Sequence, residues 1–296
     1  MSTPAVLAVD WGTTNRRVFA LAADGTVLAT ERDGAGLLAV AAAGGDFPAE
    51  AAAIRARFGD LPMICAGMVG SARGWVNVPY VACPAGLAEL GERLAWAEPG
   101  RTAIVPGLMD PAGDVMRGEE VQVLGAAAAG LVPADALLCQ PGTHCKWARL
   151  RGGVVSDFAT AMTGEIFALL KQHSLLAEFL TGAVEDGEAF RAGVRAGLAD
   201  GLLTSLFRVR AAALLGQRSA GDSAAYTSGL LIGSDIAGQH LAPGETVHIL
   251  ADPHLGALYA AAIAEAGGQS VPLDSHTAFI AGITRIWSLT HDRFHV

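Results

Sequence analysis

Two stretches of the sequence decide the fold: VLAVDWGTTNRRVF at residues 6–19 and LLCQPGTHCKWARL at residues 137–150. Each joins an apolar strand to a second, basic strand through a Gly-Thr turn, and a further turn and strand follow. Apolar runs separated by glycine turns are typical of β-hairpins. Because Gly12 and Gly142 align within matching strands, the sequence predicts two related β-β-β units. Two unrelated hairpins are the alternative, since Gly-Thr turns are common.

Two such units predict two related domains that face each other across a central cleft. A chain of 296 residues is long enough for two domains with developed cores. The loop-like segment 107–118 is the most plausible boundary. We therefore predict an N-terminal substrate and phosphate domain at residues 1–110 and a C-terminal nucleotide-binding domain at residues 111–296. Strands and helices alternate at unequal intervals, which indicates an α/β fold.

The pattern of apolar residues also predicts the individual elements. Strands beyond the two hairpins are expected at residues 62–66, 102–105, 247–250 and 271–273. Helices are expected at residues 49–58, 119–131, 164–180, 186–215, 228–240, 255–266 and 277–287. The amphipathic helices that follow the second hairpin are interpreted as a helical insertion around residues 166–218.

Composition narrows the classes of function. The net charge of −9 argues against a nucleic-acid partner, and the apolar runs are too short or too interrupted to span a membrane. The N-terminus enters a strand without a basic leader, which predicts a cytoplasmic protein. The four cysteines lack CxxC spacing and histidine partners, so reduced, mostly buried thiols are expected in place of a zinc site. A homo-oligomer is left open.

The first Gly-Thr turn has the residues of a metal and phosphate site. Asp10 ends an apolar strand, where open α/β sheets bind ligands. Gly12 lets the backbone approach a phosphate, and Thr13 and Thr14 offer hydroxyls and amides. Asp10 is predicted to hold Mg²⁺, directly or through water. A turn capped by its own aspartate is the alternative.

The second turn replaces the carboxylate by Gln140 and adds cations. Gly142, Thr143, His144 and Lys146 are predicted to bind phosphate. Around a triphosphate, the first hairpin would bind the metal ion, and the second hairpin, which is cationic and lacks the carboxylate, would bind phosphate directly.

A pair of acids opens the alanine-rich helix that leads into the second hairpin. Glu119 follows Gly118 in the segment DVMRGEEVQ, residues 114–122. Acids at a helix N-terminus often interact only with the helix dipole. A carboxylate here could also take a proton from an attacking hydroxyl, and Glu119 is the predicted general base. Glu120 and Asp10 are the alternatives for that role.

Several motifs together resemble the sugar-kinase/actin/heat-shock-chaperone ATPase superfamily and, more narrowly, the 2-dehydro-3-deoxygalactonokinase family. They are DWGTTN (10–15), AGMVGS (66–71), GW (74–75), DVMRGEE (114–120), PGTH (141–144), KW (146–147), MTGE (162–165) and GLLIG (229–233). The resemblance runs nearly end to end. It implies two ribonuclease-H-like (actin-like ATPase) domains, with the helical insertion in the second.

The resemblance implies a sugar-acid kinase that uses ATP and Mg²⁺. The reaction would phosphorylate the 6-hydroxyl of 2-dehydro-3-deoxy-D-galactonate to 2-dehydro-3-deoxy-6-phospho-D-galactonate, in galactonate catabolism. A kinase for another 2-keto-3-deoxy sugar acid and a chaperone- or actin-like ATPase module are the alternatives. The chain departs from related patterns at Cys145, where a small residue such as serine is usual, and at Glu119, where related sugar kinases have aspartate. Asp252 stands in the turn that usually carries Gly-Gly and binds adenosine; it is the predicted nucleotide contact there.

An arginine should bind the carboxylate of such a substrate, because a guanidinium binds a carboxylate in bidentate fashion. Arg73 is the first choice, since it lies in the glycine-rich loop that follows a predicted strand. Arg17 and Arg117 are the other candidates. Further contacts to the sugar acid are expected from Gly67, Met68 and Ser71.

Overall fold

The computed structural model describes residues 3–295. Within that range there are fourteen strands: β1 (Val6–Trp11), β2 (Arg16–Leu21), β3 (Val27–Asp33), β4 (Met63–Gly67), β5 (Val81–Ala82), β6 (Ala95–Glu98), β7 (Thr102–Ile104), β8 (Leu108–Met109), β9 (Val115–Met116), β10 (Ala136–Gln140), β11 (Cys145–Arg151), β12 (Val154–Ala161), β13 (Thr246–Leu250) and β14 (Gln269–Leu273). The same residues form ten α-helices: α1 (Leu37–Ala42), α2 (Phe47–Phe58), α3 (Leu87–Glu92), α4 (Glu119–Ala128), α5 (Thr163–His173), α6 (Glu188–Ala199), α7 (Leu202–Leu214), α8 (Ala220–Ala237), α9 (Pro253–Glu265) and α10 (Ser275–Thr290). This composition confirms the α/β class.

Internal contacts divide the chain into two compact units. The first contains Met1–Asp135, Ala148–Phe158 and Asp274–Val296, and the second contains Ala136–Trp147 and Ala159–Leu273. This division groups residues by their contacts in space. The sequence instead predicts a boundary near residue 110 between two related domains, and that boundary stays a prediction.

The first sheet has the order β3-β2-β1-β4-β7-β6. Strand β1 is antiparallel to β2 and parallel to β4, which is in turn parallel to β7. The carboxyl ends of β1, β4 and β7 therefore lie along one edge of this sheet. That is the edge at which open α/β sheets bind ligands.

The second sheet has the order β12-β11-β10-β13-β14, with β10, β13 and β14 parallel. Counted from the start of each three-strand unit, both sheets place the first four strands in the order third, second, first, fourth. The next neighbour is the fifth strand of its sheet, β14, in the second sheet and the sixth strand of its sheet, β7, in the first. Both predicted β-β-β units are therefore present in equivalent positions. The first sheet adds β6 at its edge, antiparallel to β7.

The alternation of side chains along β1 sets the direction of Asp10. Leu7, Val9 and Trp11 point into a core that includes Ile54 of α2, so Asp10 faces the opposite side of the sheet. Helix α10 packs on that opposite side, against β1 and α4. The ring of Phe19, which shares this face, lies 5.9 Å from that of Phe279 on α10.

The core of the second unit is formed by β10, the start of β11 and β13 together with the helices α6, α8 and α9. Its buried members include Trp147 on β11, Phe190 on α6, Ile236 on α8 and Tyr259 on α9. Aromatic side chains contribute most to such a core because each buries about 150–250 Å². A polar group on Trp147 or Tyr259 must therefore find its partner inside the unit.

The helices of the second unit differ in their bounds from those that the apolar pattern predicts. The helix expected at 164–180 ends at His173, because Ser174 is extended and its hydroxyl donates to Leu170 O. The helix expected at 186–215 is interrupted at residues 200–201, where an Asp-Gly pair separates α6 from α7. Helix α8 begins at Ala220, because Ser219 caps it by accepting from Asp222 N.

Two expectations from composition concern the thiols and the membrane. Cys65, Cys83, Cys139 and Cys145 are all free and buried, and the last two place their Sγ atoms 3.6 Å apart. Among residues 3–295, no helix combines the length and the apolar character that a bilayer crossing requires.

Candidate functional site

Asp10 lies near the carboxyl end of β1, opposite Arg17 on β2 and beside Ala66 on β4. Its Oδ2 atom is 3.8 Å from Nη1 of Arg17. Burial raises the pKa of Asp10 above its ordinary value, and the nearby side chains of Arg17 and His276 oppose that rise. The carboxylate is thus held where further positive charge would favour its ionised form.

The turn after Asp10 is shaped by its own backbone and by the start of α1. Gly12 N donates to Asn15 O at 3.0 Å, and the first amides of α1 donate to the carbonyls of Gly12 and Thr13. Thr13, Thr14 and Asn15 remain exposed. The residues that the sequence predicts to bind phosphate are thus exposed, and the contact with phosphate stays a prediction.

A close backbone approach brings Glu119 to the same edge of the first sheet. Gly67 ends β4 in register with Trp11, and a Cβ on Gly118 would lie 3.1 Å from Gly67 Cα. Gly118 has a φ of 108°, which side-chain-bearing residues rarely adopt. Helix α4 therefore starts directly over the carboxyl end of β4, and Glu119 is its first residue.

The two acids at the start of α4 have different environments. Glu119 is partly exposed, and its Oε2 accepts from Arg117 N at 3.1 Å. Glu120 is completely buried and accepts from Gly118 N at 2.6 Å through Oε2, whereas its Oε1 has no partner within residues 3–295. Burial and the adjacent Glu119 raise the pKa of Glu120 to about 8. Of the pair, Glu119 is the carboxylate that a substrate can reach.

The three candidate arginines differ in their freedom to bind a carboxylate. Arg17 is engaged with Asp10. Arg117 is buried, donates to Val78 O at 2.6 Å and lies 4.3 Å from the ring centre of Tyr80. Arg73 is exposed and, within the described residues, has no hydrogen-bond or ion-pair partner. Arg73 is therefore the candidate whose guanidinium is both exposed and unpaired.

The loop that carries Arg73 begins as a single 3-10 turn, Met68–Gly70. Ser71 N donates to Met68 O at 3.0 Å, whereas the buried Ser71 hydroxyl has no partner among the described residues. Met68 and Trp75 pack against the first unit's core, and Trp75 stacks on Phe47 with ring centres 6.4 Å apart. Of the predicted contacts in this loop, the Ser71 hydroxyl is the polar group left unsatisfied.

The second turn is held against the start of α5. Gly142, Thr143 and His144 are exposed. Glu165 N donates to Thr143 O at 2.9 Å, and a Cβ on Gly164 would lie 2.3 Å from Gly142 O. Only glycine fits at position 164. His144 Nε2 is 2.6 Å from Glu165 Oε2, so the acid fixes the orientation of the imidazole.

Lys146 and Asp252 have local partners. Lys146 is buried, and its Nζ donates to Thr160 Oγ1 at 2.8 Å. Asp252 is exposed and caps α9, where its Oδ1 accepts from Leu255 N at 3.2 Å. Both residues lie in the second unit with Gly142. Their contacts with a nucleotide stay predictions.

An apolar cavity of about 90 Å³ opens beside Gly142. It is lined by the start of α5, by α8 and by α9, through Gly142, Thr163, Gly164, Phe167, Ser228, Leu231, Ile232, Leu255 and Tyr259. A cavity with apolar walls and a few polar groups is typical of small-molecule sites.

Sequence reasoning missed two residues near these turns. His276, in the first turn of α10, lies close enough to Asp10 to affect its pKa, and its ring is 6.2 Å from Phe19. Asp235, on α8, accepts hydrogen bonds from three side chains beneath the second turn, as described below. Neither residue stands in a distinctive local motif, so no local signal identified them.

The donor set in the first turn suits Mg²⁺ bound together with a nucleotide. No group of three or more His, Cys, Asp or Glu side chains converges within residues 3–295. Mg²⁺ commonly keeps several waters and uses one or two carboxylates plus substrate phosphates. Asp10 alone, with the exposed Thr13 and Thr14 beside it, fits that mode better than a cage of protein ligands.

Comparison with known proteins identifies the family. Residues 10–286 match the family model described as 2-keto-3-deoxy-galactonokinase. A probable 2-dehydro-3-deoxygalactonokinase of Rhizobium meliloti (strain 1021) is 38% identical over 309 residues, covering 95% of this chain and 97% of that protein. The 2-dehydro-3-deoxygalactonokinase of Escherichia coli (strain K12) is 36% identical over 293 residues, covering 96% and 98%.

Solved structures agree with this assignment. A crystal structure from Sinorhizobium meliloti, described as a candidate 2-dehydro-3-deoxygalactonokinase, has a TM-score of 0.87 at 35% identity and covers 95% of this chain and 98% of that one. The activator of the 2-hydroxyisocaproyl-CoA dehydratase from Clostridium difficile has a TM-score of 0.51 at 11% identity, covering 99% and 96%, and shares the fold alone. The chain belongs to the 2-keto-3-deoxy-galactonokinase family.

Proposed function

We propose that this chain transfers the γ-phosphoryl group of ATP to the 6-hydroxyl of 2-dehydro-3-deoxy-D-galactonate. The product is 2-dehydro-3-deoxy-6-phospho-D-galactonate, a step of galactonate catabolism. Similarity over nearly the full length of two relatives with that name supports the substrate. The observation that carries the chemistry is the close approach of Gly118 to Gly67, which brings Glu119 to the edge where Asp10 lies.

In this proposal the two sheets belong to two ribonuclease-H-like, actin-like domains. The shared strand order and the parallel fourth strand of each sheet support that interpretation. The N-terminal domain, residues 1–110, binds the sugar acid and phosphate, and residues 111–296 bind the nucleotide. The helices around residues 166–218 are the insertion.

Glu119 acts as the general base. The 6-oxygen forms a bond to the γ-phosphorus, the bond from that phosphorus to the β,γ-bridging oxygen breaks, and the hydroxyl proton moves to Glu119. Its partial exposure supports this role, whereas the complete burial of Glu120 does not allow contact with a substrate. A positioned base contributes about 10²–10⁴-fold to such reactions.

Asp10 would hold Mg²⁺, with Thr13 and Thr14 beside it. When bound, the ion would offset the negative charge of the phosphates. The position of Asp10 near the carboxyl end of β1, with the exposed Thr13 and Thr14 beside it, supports this assignment. Arg17, at 3.8 Å, then acts as a fixed neighbour of that carboxylate.

The second turn binds the nucleotide phosphates in this proposal. Gly142 and Thr143 offer exposed backbone and hydroxyl groups, and His144 is held in place by Glu165. The ammonium of Lys146 adds positive charge from within the unit. Beyond the turn, the remaining nucleotide contact is assigned to Asp252.

Arg73 binds the carboxylate of the sugar acid. Its exposure and the absence of a partner within residues 3–295 support this choice over Arg17 and Arg117. The loop before it, with Gly67, Met68 and Ser71, contributes the remaining polar contacts.

A coupled assay of ADP release tests the proposal. Wild-type protein is supplied with Mg-ATP and, one at a time, with 2-keto-3-deoxy sugar acids that differ at a single stereocentre, and Glu119→Gln serves as the matched inactive control. We expect the highest kcat/KM with the galactonate compound and a product phosphorylated at the 6-oxygen. A higher kcat/KM for another acid would reassign the substrate. ADP release that does not depend on any acid would overturn the kinase assignment in favour of an ATPase.

A further inference from the structure

A buried carboxylate that plays no part in the chemistry above lies beneath the second turn. Asp235, near the end of α8, is only 8% exposed. It accepts hydrogen bonds from Trp147 Nε1 at 2.8 Å, Thr163 Oγ1 at 2.9 Å and Tyr259 OH at 2.9 Å. A buried carboxylate without partners would be costly, so three donors on one side chain make a specific arrangement.

The three donors come from three different elements, β11, α5 and α9. Thr163 is the first residue of α5, and the next two residues, Gly164 and Glu165, are those that touch the turn at Gly142 and Thr143. The bond from Thr163 to Asp235 therefore fixes where α5 begins.

The other two donors fix the surroundings of the same turn. Trp147 lies on β11, the strand that leaves the turn. Tyr259 lines the apolar cavity together with Gly142, Thr163 and Gly164. The Asp235 carboxylate thus forms hydrogen bonds with β11, which follows the turn, with α5, which contacts the turn, and with α9, which lines the adjoining cavity.

The electrostatic environment of Asp235 is consistent with these hydrogen bonds. Burial raises the pKa of Asp235, and the hydrogen bonds from Thr163, Tyr259 and Trp147 act against that rise. Hydrogen bonds to an ionised acceptor are about twice as strong as those between neutral groups. Replacing the carboxylate also leaves donors buried without partners, so the surrounding elements must shift.

We propose that Asp235 is a positioning residue that holds the start of α5, and through it the turn Gly142–His144, in the geometry that binds nucleotide phosphates. This inference rests on the proposed nucleotide role of that turn. Asp235 touches neither substrate in this proposal and acts through Thr163.

The test compares Asp235→Asn with Thr163→Val and Tyr259→Phe, which remove one donor each and spare the carboxylate. Affinity for ADP is measured by calorimetric titration without any sugar acid, and KM for ATP and for the acid by coupled assay. We expect Asp235→Asn to weaken ADP binding and raise KM for ATP about tenfold, with KM for the acid within about twofold. Thr163→Val should raise KM for ATP about threefold and leave KM for the acid nearly unchanged. Tyr259→Phe should raise KM for ATP by less.

Ser223→Ala is the matched control. Ser223 is buried on the same helix, and its hydroxyl donates to Ser219 O, away from the turn. Protection of the Glu165 amide from hydrogen exchange reports the turn directly, because that amide donates to Thr143 O. We expect faster exchange there in Asp235→Asn and no change in Ser223→Ala.

Two outcomes would overturn the inference: equal losses for ATP and the acid in Asp235→Asn, or unchanged ADP affinity in both Asp235→Asn and Thr163→Val. If Asp235→Asn does not fold, Thr163→Val and Tyr259→Phe decide between these results. The ADP titration needs no sugar acid, so it separates this inference from the assignment of substrate. Wild-type protein that binds ADP but phosphorylates no acid would contradict the proposed function alone.

Discussion

The turns at residues 10–15 and 140–145 share a frame and differ in charge. Each follows the first strand of a β-β-β unit, and each has a backbone carbonyl bound by an amide near a helix start, Gly12 O by Leu37 N and Thr143 O by Glu165 N. At equivalent positions, one turn carries Asp10 and the other Gln140. The comparison teaches that the same strand order provides two similar turns, whereas the side chains at equivalent positions set the charge of each turn.

The same contrast extends to the buried acids nearby. Asp235 in the second unit has three donors on its carboxylate, whereas Glu120 in the first unit has an oxygen with no partner among the described residues. Burial and the adjacent Glu119 raise the pKa of Glu120 to about 8. The buried acid beside the candidate base thus has an oxygen that is unsatisfied within residues 3–295, whereas the buried acid of the second unit belongs to a satisfied polar cluster.

The largest expected effect tests whether a residue of the first unit, Glu119, is the general base. Glu119→Gln should lower kcat about a hundredfold or more and leave ADP affinity nearly unchanged, because the amide cannot accept the hydroxyl proton. Steady-state kinetics and calorimetry give both numbers. Glu120→Gln is the matched variant one residue further on, and it should retain much more activity. Near-normal turnover in Glu119→Gln would move the base to Asp10.

The next effect tests whether Arg73, in the first unit, binds the carboxylate of the sugar acid. Arg73→Ala should cost about 2–4 kcal/mol in kcat/KM for the sugar acid, with ATP affinity spared. Arg73→Lys should also be impaired, because an ammonium lacks the planar fork. The same assay on an analogue with an amide in place of the carboxylate is the control. An equal loss on the acid and on the amide would show that Arg73 is structural.

A third prediction uses pH to test the buried acid of the first unit, Glu120. The pKa of Glu120 is raised from 4.5 to about 8 on folding, so the folded state retains a proton that the unfolded state has lost. This contribution to stability is complete below pH 4.5 and is lost as pH rises towards 8, by about 1.4 kcal/mol per pH unit. Urea unfolding of wild type and Glu120→Gln at pH 5 and pH 8 measures it. Between pH 5 and pH 8 the free energy of unfolding should fall less in Glu120→Gln than in wild type. An equal fall in both proteins would contradict the prediction.

The fourth prediction exchanges the charges of the two turns. Asp10→Asn should lower turnover about tenfold and shift the magnesium titration to higher concentration, since the amide binds a divalent cation less strongly. Gln140→Glu places a carboxylate at the equivalent point of the second turn and should weaken ATP binding through repulsion of the phosphates. An unchanged magnesium curve in Asp10→Asn would remove Asp10 from the metal site.

The smallest effect concerns the imidazole of the second turn. His144→Ala should raise KM for ATP about threefold, because one exposed contact to phosphate is lost. Glu165→Gln keeps an oxygen near His144 and should change KM less. Equal effects of the two variants would indicate that the pair only stabilises the start of α5.

Much of the candidate site could be predicted because its residues lie in short motifs. The Gly-Thr turns place Asp10 and Thr143 by local geometry, and Gly118 precedes Glu119 directly. His276 could not be found in this way, because only the packing of α10 on the first sheet brings it near Asp10. The same holds for Asp235, whose three donors are distant in sequence. The break between α6 and α7 was missed because the apolar period continues through an Asp-Gly pair.

The four buried thiols can report local unfolding of the two compact units. Burial raises the pKa of Cys65 to about 12 and that of Cys83 to about 11, and it raises those of Cys139 and Cys145 as well. Alkylating reagents attack thiolates, so the folded chain should be labelled slowly at neutral pH. Two thiols lie in each compact unit. Mass spectrometry of labelled peptides under mild denaturant would therefore tell which unit exposes its interior first, without any engineered label.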